Sequence, residues 1–263
     1  MRVWALPLAL FALVSCVADP APSRQHTRKP VMPFGLSVAD PGALATWLES
    51  MQPGWPRSRS YDCGHIKCVA LTFDDGPGEH TGRLLDLLRE RDVRATFFVL
   101  GERVAADPGG HMVRRIVGDG HELGNHSWSH PLLTDLPYER LKSEIEHTEN
   151  LVERLTGVRM RVMRPPYGAT DKRVAAETRR EGLAQILWSL DTFDWRDRAP
   201  AIVARRAGRA RPGSIVLLHD IHRTTVAAVP RLLDRLAKKG FTFVTVSELY
   251  GDAPAPGRRY ARR

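Results

Sequence analysis

The sequence predicts an α/β protein: one (β/α) barrel of about seven parallel strands. Three observations lead there. Short β-branched and aromatic runs alternate with segments of helical leucine spacing, the pattern of a parallel sheet covered by helices. Seven or so of these units follow one another between residues 61 and 250, enough to close a barrel. Asp74, His126, Arg164, Asp194 and His219 all fall at the ends of predicted strands or just beyond, where reactive groups of a parallel barrel belong.

The elements follow in order. "VALTF" (Val69 to Phe73) is a buried strand, and "TGRLLDLLRERD" is an amphipathic helix. "ATFFVL" (Ala95 to Leu100) is the next strand, and Met112 to Gly120 is a short helix ending on glycine. "HELGNHS" is a third strand running into a loop. The clearest helix is "PYERLKSEIEHTENLVERLTG": Pro137 suits its first turn, Leu141, Ile145, Val152 and Leu155 share a face, and Gly157 stops it. Further strands are Met160 to Met163, Ala184 to Leu190, Ser214 to His219 and Phe241 to Val246. Helices intervene around Lys172 to Glu181, Ala201 to Ala210 and Val226 to Lys239.

The two ends read differently. Arg2 followed by the apolar "ALPLALFALV" (Ala5 to Val14) is a targeting segment, residues 1–15. Ser15 before Cys16 resembles a bacterial lipobox, which would leave Cys16 as a lipid-modified first residue. An ordinary secretory signal that discards Cys16 is the other reading; both mean export, to the cell envelope or the medium. Residues 16–60, rich in proline, serine and arginine, suit a linker, and 251–263 a disordered basic tail. The other two cysteines, Cys63 and Cys68, would then meet an oxidising compartment, and without a second cysteine pair to complete a zinc ribbon they are read as a disulfide.

Composition is that of a soluble globular protein, 43% hydrophobic and 26% charged. The net charge of +9 invites a nucleic-acid reading. Much of the excess sits in the two ends, and basic residues are not interleaved with aromatics, so an anionic envelope or membrane surface is the simpler partner.

The chemistry gathers in "LTFDDGP" and "HSWSH". Asp74 beside Asp75 can be read as turn punctuation before Gly76-Pro77. His126 and His130 change that reading: if their segment is helical or tightly turned, two imidazoles face one way, and with one carboxylate they make a metal site with open positions. The second carboxylate is then free to take a proton from metal-bound water. Adjacent residues on a strand point oppositely, so both acids reach one cavity only if the strand end turns.

"TFDDGP", "HSWSH", "RPPYG", "DTFDW" and "LLHD", in that order, resemble the five motifs of the polysaccharide deacetylase (NodB-like) family over about Cys68 to Leu249. The resemblance implies a distorted (β/α) barrel and metal-dependent removal of acetyl groups from N-acetylated sugars. It implies Asp74 as general base and Asp75, His126 and His130 as ligands of a divalent metal, zinc or else cobalt. It further implies Arg164 as the residue orienting the base, the Tyr167 backbone N–H as oxyanion donor, and His219 as general acid held by Asp194. Trp195 and Leu217 would wall the acetyl pocket, and Asp191 would support the fourth-motif loop. The implied substrate is N-acetylglucosamine in peptidoglycan or chitin-like polymers. Acetylxylan O-deacetylation is a second reading, an envelope-anchored glycan-binding protein a third, and a non-haem iron oxygenase a fourth that has no need of Asp74, Arg164 and His219.

Overall fold

β1 (Cys68–Gly76) is the strand around which the sheet is organised. The computed structural model describes residues 59–251 and 253–263; the predicted signal, Cys16 and nearly all of the predicted linker lie outside them. One edge of β1 pairs with β7 (Ser214–His219), Asp74 opposite His219. The other edge is shared. β8 (Thr242–Val244) covers its first residues and β2 (Thr96–Val99) its last. From β2 the sheet continues through β3 (Glu122–Asn125), β4 (Val162–Met163), β5 (Ala184–Ile186) and β9 (Arg259–Tyr260), while β6 (Leu190–Asp191) lies outside β7. Every one of these pairings is parallel.

Alternation along β1 assigns its two faces. Val69, Leu71 and Phe73 point outward into the larger core, where Phe73 stacks on Phe97 at 5.3 Å, and Ala70 points inward with Phe98, Val162, Ala184, Ile186 and Ile215. The outer face is covered by α1 (Thr81–Glu90), α3 (His111–Gly118), α4 (Tyr138–Thr156), α5 (Lys172–Arg180), α7 (Pro200–Ala207) and α8 (Arg223–Ala237). The short α2 (Gly101–Ala105), α6 (Asp194–Asp197) and α9 (Val246–Tyr250) complete the chain order. α4 begins after Pro137 and stops at Gly157 (φ 73°), as its sequence predicts.

Two expectations are corrected. The run from Ala184 to Leu190 is not one strand: β5 pairs with β4 and β9, β6 pairs with β7, and Leu187–Ser189 cross between them. The carbonyls of Ile186 and Leu187 there accept from the Arg164 guanidinium (3.0 and 3.2 Å) instead of continuing a ladder. The tail is not disordered over 253–263. Arg259–Tyr260 pairs with β5, and Arg262 bridges antiparallel to Ser214 at the start of β7. The tail thereby spans the gap between the two sheet edges at the amino ends of the strands. Its Arg-rich composition hid this, because the pairing is made by backbone groups.

Candidate active site and metal centre

The inward alternation of β1 continues through Thr72 to Asp74, and both accept from the Arg164 guanidinium (2.8 and 2.7 Å). Asp75 should then point outward. A bulge prevents it: Asp74 pairs with Phe98 and Gly76 with Val99, leaving Asp75 as the extra residue in left-handed backbone (φ 70°). The bulge turns Asp75 toward the same cavity as Asp74. Gly76 follows because nothing larger fits; a Cβ there would lie 2.4 Å from Asp220 Oδ2.

"HSWSH" is a tight loop, not a helix. Ser127 (φ 70°) and His130 (φ 62°) both take left-handed backbone. The loop is fixed from below by α4: buried Glu144 accepts from the N–H groups of Trp128 and Ser129 (2.9 and 2.8 Å) and from the Ser129 hydroxyl (2.8 Å). Asn125 holds the Ser127 N–H (2.7 Å) and donates to Glu149 (2.8 Å). Burial pushes the Glu149 carboxyl up to about 8.

The result is a three-ligand cluster. Asp75 Oδ1 lies 3.4 Å from His126 Nε2 and 3.6 Å from His130 Nε2. His126 donates from Nδ1 to the Arg164 carbonyl (2.6 Å), so its Nε2 lone pair faces Asp75. Asp75 Oδ1 is buried without a hydrogen-bond partner. An orphaned carboxylate oxygen beside two imidazole nitrogens, all mutually within 4.8 Å, fits a divalent cation with open positions. Burial opposes charge on Asp75, yet the imidazoles of His126, His219 and His130 hold it well below the usual carboxylate range; burial lowers His130. A second acidic group, Glu146, Glu177 and Glu181, contrasts with this one: the Arg180 guanidinium sits among its oxygens and neutralises them.

Arg164 is wholly buried inside the barrel, with its guanidinium carbon 4.3 Å from the Phe98 ring centroid. Burial lowers its pKa, and the Asp74 carboxylate works against that. Across the cleft, His219 donates from Nδ1 to Asp194 Oδ1 (2.9 Å), which presents Nε2 to the cleft. The His219 N–H (2.7 Å) and the Thr225 hydroxyl (2.7 Å) fix the other oxygen of Asp194. Burial works against charge on His219, but its bond to Asp194, with Asp74 and Asp75 nearby, lifts it to about 9.

One cleft of about 360 Å³ brings together Asp74, Asp75, His126, His130, Tyr167, Trp195, Leu217 and His219, with Asp191 at its margin. Arg164 and Asp194 stand behind it in direct contact with Asp74 and His219. Tyr167, in left-handed backbone after Pro165-Pro166, is 68% exposed and packs edge-on against His130 (4.7 Å); Trp195 is 45% exposed, and Leu217 is buried in the wall. Asp191 caps the N–H of Phe193 (2.6 Å), a loop-support role. Sequence reading missed Trp188, which lines the cleft and stacks on Arg164 (5.6 Å), the anchoring Glu144, and Asp220. Asp220 lies under the bulge, bonded to Thr81, and burial pushes it up to about 7. Asp220 stood in the quoted "LLHD" motif; Glu144 carried no signal.

Comparison with known proteins places the chain among deacetylases in sequence and fold. Residues 62–186 match the sequence model of the polysaccharide deacetylase family. Over 196 residues the chain is 45% identical to the peptidoglycan-N-acetylglucosamine deacetylase PgdA of Listeria monocytogenes, covering 74% of this chain and 41% of that protein, so it spans about two fifths of that relative's length. It is 37% identical to a chitin deacetylase of Colletotrichum lindemuthianum, covering 73% of this chain and 83% of the relative. A deacetylase solved with substrate superposes with a TM-score of 0.72 at 42% identity, covering 76% of this chain and 100% of that one. With a family model matched over residues 62–186, a relative covered over 83% of its length and a structural match to a deacetylase, the chain belongs to the polysaccharide deacetylase family.

Proposed function

We propose that this chain hydrolyses the N-acetyl group of N-acetylglucosamine residues in cell-wall or chitin-like polymers, releasing acetate and a free amine. One observation carries the reading: Asp74 and His219, paired across β1 and β7, place a buried carboxylate and an imidazole held by Asp194 in one cleft beside the three-ligand cluster. A binding module has no use for both. The peptidoglycan-N-acetylglucosamine deacetylase and the chitin deacetylase among its relatives are named for such polymers, and a third relative is named for N-acetylmuramic acid in peptidoglycan.

A divalent ion held by Asp75, His126 and His130 would acidify a bound water and polarise an acetyl carbonyl. Asp74 takes the proton as the water oxygen bonds to the carbonyl carbon, with the Arg164 guanidinium holding the carboxylate in place (2.7 Å). The Tyr167 N–H, on left-handed backbone at the cleft, donates to the developing oxyanion. His219 gives its Nε2 proton to the departing nitrogen as the C–N bond breaks, and Asp194 stabilises the imidazolium beforehand. Trp195 and Leu217 wall the space for the methyl group. An acid of this kind matters more for an amine than for an alcohol leaving group, which favours N-acetyl over the O-acetyl groups of acetylxylan.

The deciding experiment measures acetate release from peptidoglycan, chitooligosaccharides and acetylxylan side by side, before and after chelation, with zinc and cobalt restored separately. Release from acetylxylan alone would refute the amide reading; release undiminished by chelation would refute the metal. We further propose export and a lipid anchor at Cys16, supported by the apolar Ala5 to Val14 run ahead of it. Cys16→Ser is expected to move the protein from the membrane fraction to the medium.

A further inference from the structure

The end of the sheet opposite the cleft carries a charge that deacetylation does not use. The loops preceding β1, β7 and β8, together with the closing tail, bring up Lys67, Arg209, Arg211, Lys238, Lys239 and Arg262, all exposed. Contacts join these loops into one surface. Lys67 Nζ donates to the Lys239 carbonyl (3.4 Å), Lys239 Nζ to that of Gly208, and the Arg262 guanidinium to that of Pro212 (3.1 Å). The Thr242 N–H donates to the Lys67 carbonyl (2.8 Å), and the Gly213 N–H to that of Cys68 (2.9 Å). Among the described residues Lys67, Lys239 and Arg262 meet backbone carbonyls, and none of the six cations is ion-paired with a carboxylate; the neighbouring Asp62 is engaged by His65 (2.7 Å). Like charges held together without counter-charges cost stability, and an external anion relieves that cost.

An apolar side chain stands among them. Ile66, on the loop closed by the Cys63–Cys68 bond, is 41% exposed beside Lys67. The chain also enters the domain on this side: Arg59 is bonded to Asp92 in the turn before β2 (2.8 Å), and the sequence ahead of it leads back to Cys16 and the apolar Ala5 to Val14 run.

We propose that this face docks on an anionic lipid bilayer, its cations at the level of the headgroup phosphates and Ile66 in the interface. A soluble polyanion would satisfy the cations but gain nothing from an exposed aliphatic side chain, and a single-stranded nucleic acid would need aromatic platforms, whereas the exposed Tyr167 and Trp195 stand at the cleft instead. β1 runs from this face to the cleft through nine residues, roughly 30 Å at about 3.3 Å per residue. Docking by the amino ends of the strands therefore points the cleft away from the bilayer, toward material outside it.

The test is independent of the deacetylase reading. The full chain carrying Cys16→Ser, which has no acyl group, is sedimented with phosphatidylcholine vesicles and with vesicles containing phosphatidylglycerol. Binding to the anionic vesicles is expected to exceed binding to the neutral ones and to weaken as salt is raised. Each cation near such a surface contributes about fivefold in partitioning, so Arg209→Gln, Arg211→Gln, Lys239→Gln and Arg262→Gln together should lower it at least about tenfold. Ile66→Ser should lower it several-fold while leaving the salt dependence in place. A matched set on other surfaces, Arg83→Gln, Arg114→Gln, Arg140→Gln and Arg231→Gln, should change it less than about twofold, and thermal melts establish that every variant is folded. Equal loss from both sets, or equal binding to neutral vesicles, overturns the proposal. So does displacement by inorganic polyphosphate with no effect of Ile66→Ser, which would assign the face to a soluble polyanion.

Discussion

The two ends of the sheet handle left-handed backbone in opposite ways. At the amino ends, where helices turn back into strands, glycine takes most of these positions, as at Gly157 and Gly182, with Asp92 before β2 the exception. At the carboxyl ends the positions fall on Asp75, Ser127, His130, Tyr167 and Phe193, side chains that pay about 1–2 kcal/mol each for backbone that glycine would adopt freely. Three of these, Asp75, His130 and Tyr167, line the cleft. Strained turns thus concentrate where a functional group is aimed, although Asp92 and Arg198 carry left-handed backbone outside the cleft. The strain is sustained by the contacts beneath: Glu144 under the histidine loop, Asp220 under the bulge.

The largest test of this contrast lies in the acidic doublet. Asp75→Asn weakens the carboxylate ligand, so metal content should fall, with activity partly restored by excess zinc. Asp74→Asn keeps metal and loses about two to four powers of ten in turnover, with no rescue by metal. Metal analysis and acetate release on both variants check the division; equal metal loss in the two would break it.

Next comes His219. In metal-free protein its imidazole should titrate near pH 9 by NMR, charged below that value and neutral above it. The acid is the charged form, so amide turnover should fall as pH rises through the His219 pKa; a bound dication repels the same proton and sets that limb lower. Asp194→Asn should lower the titration and bring the falling limb with it. A limb that stays in place would separate His219 from proton donation.

Smaller effects follow. Replacing Cys63 and Cys68 with serine should cost about 1–3 kcal/mol in chemical denaturation, since the loop they close is short. Smallest is the comparison of the turns themselves. Gly182→Ala meets no atom within 4 Å, so its cost of about 1 kcal/mol is conformational alone. Tyr167→Gly should move stability by a similar amount in the other direction while activity falls. If Tyr167→Gly is strongly destabilising, the strain is not local to that residue.

Much of this was legible in the sequence because it is periodic or compact. Short apolar runs gave β1 and β7, leucine spacing gave α1 and α4, and five short motifs gave most of the residues that line the cleft, Trp188 apart. What was hidden depends on partners distant in the chain. The break between β5 and β6 exists because Arg164 needs the carbonyls of Ile186 and Leu187, which no local composition signals. The tail pairs through its backbone, to which its arginines are indifferent. Glu144 looks like any acidic residue on α4 until the loop it holds is in place.

Arg164 has one further consequence. Its guanidinium holds Asp74 and its carbonyl holds His126, so a single residue is the common datum for the proton acceptor and a metal ligand. Thermal displacement of β4 carries both together, and their separation is insulated from motions that move the barrel wall. Tolerance in that separation is thus set by one side chain's length, which neither a lysine nor a glutamine can reproduce.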